Sequence, residues 1–124
     1  MLALGRAGEP AVVVFSDRAD LWWLRALPRG FRHCFVLLRG RDGWVAVEAL
    51  SNGIIISELP DETPERVAGA YRRVGCRAVV VRCRPRVARA LPWAPFSCVE
   101  SVKRLIGLRA PAVWTPRQLW RKIR

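Results

Sequence analysis

The chain has 124 residues, 52% of them apolar, and a formal net charge of +12. That length supports one hydrophobic core, and that apolar fraction excludes a disordered chain. No apolar run approaches the ~18 residues of a membrane span, and the first ten residues lack the charged-then-apolar layout of a secretory leader.

The expectation is therefore a single domain over 1–124, kept in the cytoplasm or packaged into a virion-like particle. Its positive charge is almost all arginine, since Lys103 and Lys122 are the only lysines. Arginine-rich composition alongside abundant Ala, Val, Gly and Pro is what a GC-rich genome produces, which discounts the charge as a binding signal without cancelling it. Four cysteines (Cys34, Cys76, Cys83 and Cys98) and one histidine, His33, show no C-x-x-C pair, so neither a zinc site nor any other metal or cofactor is expected. Their scatter suits a reducing compartment with mostly buried thiols.

In chain order, Ala11-Val12-Val13-Val14-Phe15 reads as a short strand ended by Ser16-Asp17. A brief helix through 19–25 carries the pair Trp22 and Trp23, and Leu27-Pro28-Arg29-Gly30 breaks it. Residues 31–38 form the next strand. It is apolar on both faces beyond His33, as a central strand must be. Arg39-Gly40-Arg41-Asp42-Gly43 turns the chain into a strand over 44–48. Ser51-Asn52-Gly53 then turns it again, into 54–59. Antiparallel pairing through a short turn sets the start of one strand beside the end of the next. His33 and Glu48 should therefore be neighbours.

Thr63 as N-cap with Pro64 behind it opens a helix that Gly75 closes. Residues 77–82 form a further strand, and 84–95 is irregular, interrupted by Pro85, Pro92 and Pro95. Ser97 followed three residues later by Glu100 reads as a capping box, with Gly107 as the left-handed stop. This puts Cys98 at the first helical position, where the helix dipole favours a thiolate. Cys98, Val102 and Leu105 share the inward face, while Glu100, Lys103 and Arg104 stay wet. Thr115-Pro116 opens a last helix carrying Leu119, Trp120 and Ile123. The pattern is α+β, an antiparallel sheet with helices packed on one side.

Thiol catalysis needs a base within reach of the sulfur and a polar group to orient that base. Cys98, His33 and Glu48 fill these roles in order, with Asn52 or Asp42 as alternatives to Glu48. The backbone N–H of Cys98 is an oxyanion donor. The other three cysteines read as small buried hydrophobes.

The segments Gly30-Phe31-Arg32-His33-Cys34-Phe35, Trp44-Val45-Ala46-Val47-Glu48 and Phe96-Ser97-Cys98-Val99-Glu100 carry a resemblance. Their His-before-Cys order resembles the circularly permuted branch of the NlpC/P60 papain-like superfamily, which includes the lecithin:retinol acyltransferase-like proteins. The layout is also similar to that of small phage and gene-transfer-cluster proteins. The resemblance implies a papain-like fold, Cys98 as nucleophile, His33 as base and Glu48 as orienting residue. It also implies a peptide-like amide as substrate, a cell-wall peptide for example. The acyltransferase branch carries Asn-Cys-Glu-His where this chain has Ser97-Cys98-Val99-Glu100. That departure turns the expectation away from lipid acyl transfer and towards a cysteine peptidase or amidase. The alternatives are an inactive papain-like scaffold used for assembly, and a basic nucleic-acid- or virion-associated binding module. In the latter, Arg82, Arg84, Arg86 and Arg89, with the basic tail from Arg117, hold phosphates.

Overall fold

The computed structural model describes residues 6–17, 30–50, 53–85 and 97–124. The expected helix over 19–25, its tryptophan pair, Asn52, Arg86 and Arg89 lie outside them. The elements in order are β1 (Pro10–Ser16), β2 (His33–Arg39), β3 (Gly43–Leu50), β4 (Gly53–Pro60), α1 (Pro64–Arg73), β5 (Arg77–Arg82), α2 (Ser97–Ile106) and α3 (Pro116–Ile123). The fold is α+β. Its five strands make one antiparallel sheet in the order β4-β3-β2-β1-β5.

β1 lies between β2 and β5, and its β-branched run Val12-Val13-Val14 suits a pleat packed on both faces. Ala11, Val13 and Phe15 point to one side, and Val12 and Val14 to the other; all are fully buried. Truncating Phe15 to alanine would cost about 3–5 kcal/mol on the usual scale for buried aromatics.

Two core layers result, and they correct the expectation that the helices pack on one side. Val99, Val102 and Ile106 of α2 and Leu119 of α3 cover the face of Val13, Phe15, Cys34 and Val36. Val67 and Ala68 of α1 cover the opposite face, against Val12, Val14, Leu37 and Ala78. A sheet whose middle strands are apolar on both sides exposes greasy surface unless both sides are covered. α1 supplies the second cover.

Local chemistry sets the helix ends. Thr63 caps α1 by accepting from the Arg66 N–H at 3.3 Å, and Thr115 makes a reciprocal capping box with Gln118 at the start of α3. α2 ends in a Schellman pair: the Gly107 N–H donates to the Arg104 carbonyl (3.2 Å), and the Leu108 N–H to the Lys103 carbonyl (2.8 Å). Gly107 sits at φ +75°, and a Cβ there would strike the Arg84 carbonyl oxygen, so only glycine fits. The Arg84 N–H donates to the Ile106 carbonyl at 2.8 Å, which ties the end of α2 to the exit of β5.

Lys103 overturns the expected wet face of α2. It is only 4% exposed. Its ammonium meets the Glu100 carboxylate at 2.7 Å and donates to the Ala110 carbonyl at 2.9 Å and the Val113 carbonyl at 2.7 Å. Three acceptors match its three N–H groups, which is what makes a buried lysine tolerable. The contact straps the loop before α3 onto α2. Glu100 faces Lys103, and the Ser97 half of the expected capping box lies outside the described side chains.

Candidate active site

The sheet forks beside His33. The β2–β3 ladder runs from Arg39↔Trp44 to Val36↔Val47. Beyond that point His33, Cys34 and Phe35 go on pairing with Ser16, Phe15 and Val14 of β1. Glu48, Ala49 and Leu50 instead stay with Ile55, Ile54 and Gly53 of β4. By alternation His33 shares the α1 face of β2 with Phe35 and Leu37, whereas Cys98 approaches from the α2 face. The β2–β3 ladder has already ended where the two meet.

Each partner is held by packing. Phe31 is buried between Phe15 (ring centroids 6.0 Å apart) and Trp120 (5.2 Å), and the Arg32 N–H donates to the Ser16 carbonyl at 3.0 Å, so the chain enters β2 in fixed register. Glu48 is fixed by the β3–β4 ladder. Cys98 is carried by α2, whose first turn is pinned through fully buried Val99. α2 begins at Ser97, one residue earlier than expected, so Cys98 lies in its first turn, where N–H groups have no intrahelical acceptor.

The three expected site residues come together. His33 Nε2 is 3.4 Å from Glu48 Oε2, an ion-pair contact longer than a well-formed hydrogen bond, with His33 3% and Glu48 14% exposed. The imidazole also hydrogen-bonds the Cys98 sulfur. Asp42 is excluded as an orienting group. It lies in the turn at the other end of β2 and β3, and six residues of strand span about 20 Å.

The structure adds a group that sequence reasoning missed. The Cys34 thiol, fully buried beneath the start of α2, hydrogen-bonds the Cys98 sulfur, and the Cys34 backbone contributes a second bond. This backbone is available where the ladder with β3 has ended. No spacing signal marks Cys34; its position beside the candidate base was the only hint.

The electrostatics follow from these contacts. Cys98 is lowered to about 5, first by the Cys34 hydrogen bond and then by the hydrogen bond and charge of His33, against an opposing effect of burial. Burial alone would lower His33, but the hydrogen bond and charge of Cys98, and then the charge of Glu48, leave it raised. Burial, then the hydrogen bond and charge of Cys98, push Cys34 well up. At neutral pH Cys98 is therefore a thiolate, its charge favours the protonated form of His33, and Cys34 stays a protonated donor to the thiolate.

Arg82 and Arg84 lie elsewhere. With Lys122 they border a cavity of about 360 Å³ whose apolar wall includes Ile106, Leu108 and Ile123. This is the far end of α2 from Cys98, eight residues and about 12 Å along the axis. Arg82 Nη1 donates to the Gly8 carbonyl at 2.9 Å. Among the described residues no group of three or more His, Cys, Asp or Glu could hold a metal ion, and no helix is long and apolar enough to cross a membrane. Comparison of the chain with protein-family models, curated proteins and solved structures finds no match.

Proposed function

We propose that the chain is a cysteine-dependent hydrolase with a papain-like, permuted NlpC/P60-type site, acting on a peptide-like amide or thioester through an acyl-enzyme. One observation carries the reading: the His33 imidazole joins the Cys98 sulfur to the Glu48 carboxylate. The Cys98 thiolate attacks the carbonyl carbon, and the N–H groups opening α2 face the charge that builds on the carbonyl oxygen. His33, protonated beforehand, gives its proton to the leaving amine or thiolate. Neutral His33 then takes a proton from water, whose oxygen attacks the thioester carbonyl and frees Cys98. Glu48 keeps the ring turned towards the sulfur and stabilises its charge.

The test is hydrolysis of a panel of short peptide amides and cell-wall peptides by the full chain, with Cys98→Ala and His33→Ala as partners. Turnover lost in both variants, with an acyl adduct trapped on Cys98, is the expected result. Turnover surviving Cys98→Ala would sink the reading.

A second reading rests on the cavity at Arg82, Arg84 and Lys122, where three cations border one concavity and phosphate groups would be held. Retention on duplex DNA that falls steeply with salt, and that survives Cys98→Ala, would favour it.

A further inference from the structure

The contact between Cys34 and Cys98 is not required by acyl transfer, and it brings a second thiol to the nucleophile. None of the four cysteines is in a disulfide. Cys83, the other cysteine of this core layer, borders the cavity at the opposite end of α2. Cys34 on β2 and Cys98 in the first turn of α2 are buried in one core cluster, where a hydrogen bond between the two sulfurs joins them. Their accessibility differs in a useful sense: Cys98 retains 8% exposure and Cys34 none. A small oxidant therefore reaches Cys98 first.

We propose that Cys98 and Cys34 form a hydroperoxide-reducing dithiol, with Cys98 as the sulfur that meets the peroxide and Cys34 as the thiol that resolves it into an intramolecular disulfide. This goes beyond the hydrolase reading and does not depend on it.

The chemistry balances with a small hydroperoxide as oxidant. The Cys98 thiolate attacks one peroxide oxygen and the O–O bond breaks. The departing hydroxide or alkoxide takes a proton, for which the His33 imidazolium is in place, and leaves as water or an alcohol. Cys98 is then a sulfenic acid, oxidised by two electrons while the peroxide is reduced by two. The negative charge that opposed ionisation of Cys34 has gone at the same moment. The Cys34 sulfur attacks the Cys98 sulfur, the S–O bond breaks, and the hydroxyl leaves with the Cys34 proton as water. A disulfide of about 2.0 Å replaces a sulfur–sulfur hydrogen bond, so closure draws the first turn of α2 towards β2 by a short step. A dithiol reductant restores both thiols. Where Cys98 also serves as a hydrolase nucleophile, the disulfide is its reversible resting form.

The experiment uses the full, unaltered chain, reduced and freed of reductant, then titrated with hydrogen peroxide under argon. Thiols are counted after denaturation, and linkages are mapped by peptide mass spectrometry with dimedone as a sulfenic-acid trap. The expected result is loss of two thiols per peroxide consumed, a Cys34–Cys98 linked peptide, and recovery of both thiols with dithiothreitol. In Cys34→Ala the linked peptide disappears and dimedone accumulates on Cys98. Three results on the unaltered chain would overturn the proposal: dimedone or sulfinic acid on Cys98 with no link, a link to Cys76 or Cys83 or between chains, or no oxidation of Cys98. A Cys34–Cys98 link in a chain that cleaves no amide would leave this dithiol standing while the hydrolase reading falls. Amide turnover without the link would do the reverse.

Discussion

Glu48 reaches His33 because β3 leaves β2 one residue before it: Val47 is the last residue of β3 paired to Val36, and the Glu48 carboxylate stands 3.4 Å from His33 Nε2 across the opening. The contact is between strands that share a sheet but not, at this point, a ladder. Glu48→Gln keeps the shape and removes the charge. His33 then loses one of the influences that raise it, so its pKa falls towards the ordinary imidazole range. Turnover of a peptide amide should drop on the order of 10²-fold, a typical contribution for a positioned acid–base element, and its alkaline limb should move to lower pH. Glu48→Asp should restore part of both. A rate loss with an unmoved alkaline limb would assign Glu48 to packing alone.

The ionisation of Cys98 makes a second measurement decisive. Alkylation at Cys98, followed by mass spectrometry, should rise with pH through about 5. Losing the His33 contact through His33→Ala, or the Cys34 donor through Cys34→Ala, should each move that midpoint up, towards the ~8.5 of a free thiol. Stability follows the same linkage with opposite signs for the two partners. Cys98 is depressed in the fold, so its contribution is complete above the ordinary thiol range and is lost as pH falls through about 5. His33 is raised, so its contribution is complete below the ordinary imidazole range and is lost as pH rises through its folded value. A midpoint near 8.5 in the unaltered chain would contradict both.

What the sequence made legible, and what it did not, divides by range. Thr63-Pro64, Thr115-Pro116 and Gly107 announce helix ends because capping and positive φ are decided within a few residues. The meander from β2 to β4 was legible because its turns are short, and a short antiparallel connection allows few registers. The side on which each helix packs was not. Apolar residues on both faces of β1 demand two covers, but nothing local assigns α1 to one face and α2 to the other. Cys34 was hidden for the same reason, since its partner is 64 residues away. Lys103 was misread because a charge three residues from Glu100 ordinarily marks a solvated face. Its burial depends on carbonyls at Ala110 and Val113, delivered by a loop whose path no spacing reveals.

Lys103 supplies a stability prediction that separates scaffold from chemistry. Lys103→Met fills similar volume but leaves the Glu100 carboxylate and two carbonyls without their donor. Removing one partner of a buried pair typically costs about 3–5 kcal/mol. Urea unfolding should register a loss of that size, with the loop from Leu108 to Thr115 becoming sensitive to protease before the rest. Changing Glu100 to Gln together with Lys103→Met should recover part of the loss, because the stranded charge is gone. An unchanged midpoint in Lys103→Met would mean that the ammonium is hydrated in solution.

The two ends of α2 should behave as separate sites. Cys98 opens the helix, and Ile106, beside the cavity of Arg82, Arg84 and Lys122, closes it about 12 Å away. Unit charges at that distance, partly exposed to solvent, lie beyond a Debye length of about 8 Å at physiological salt. Arg82→Ala, Arg84→Ala and Lys122→Ala should therefore leave the alkylation midpoint of Cys98 within a few tenths of a pH unit. Any retention on DNA should weaken in the same variants, with a shallower dependence on salt, each lost phosphate contact lowering the log–log slope by about 0.9. If the arginine variants moved the thiol midpoint by a full unit, the cavity and the thiol would form one extended site. The hydrolase reading would then need a substrate carrying a negative charge some 12 Å from its scissile bond.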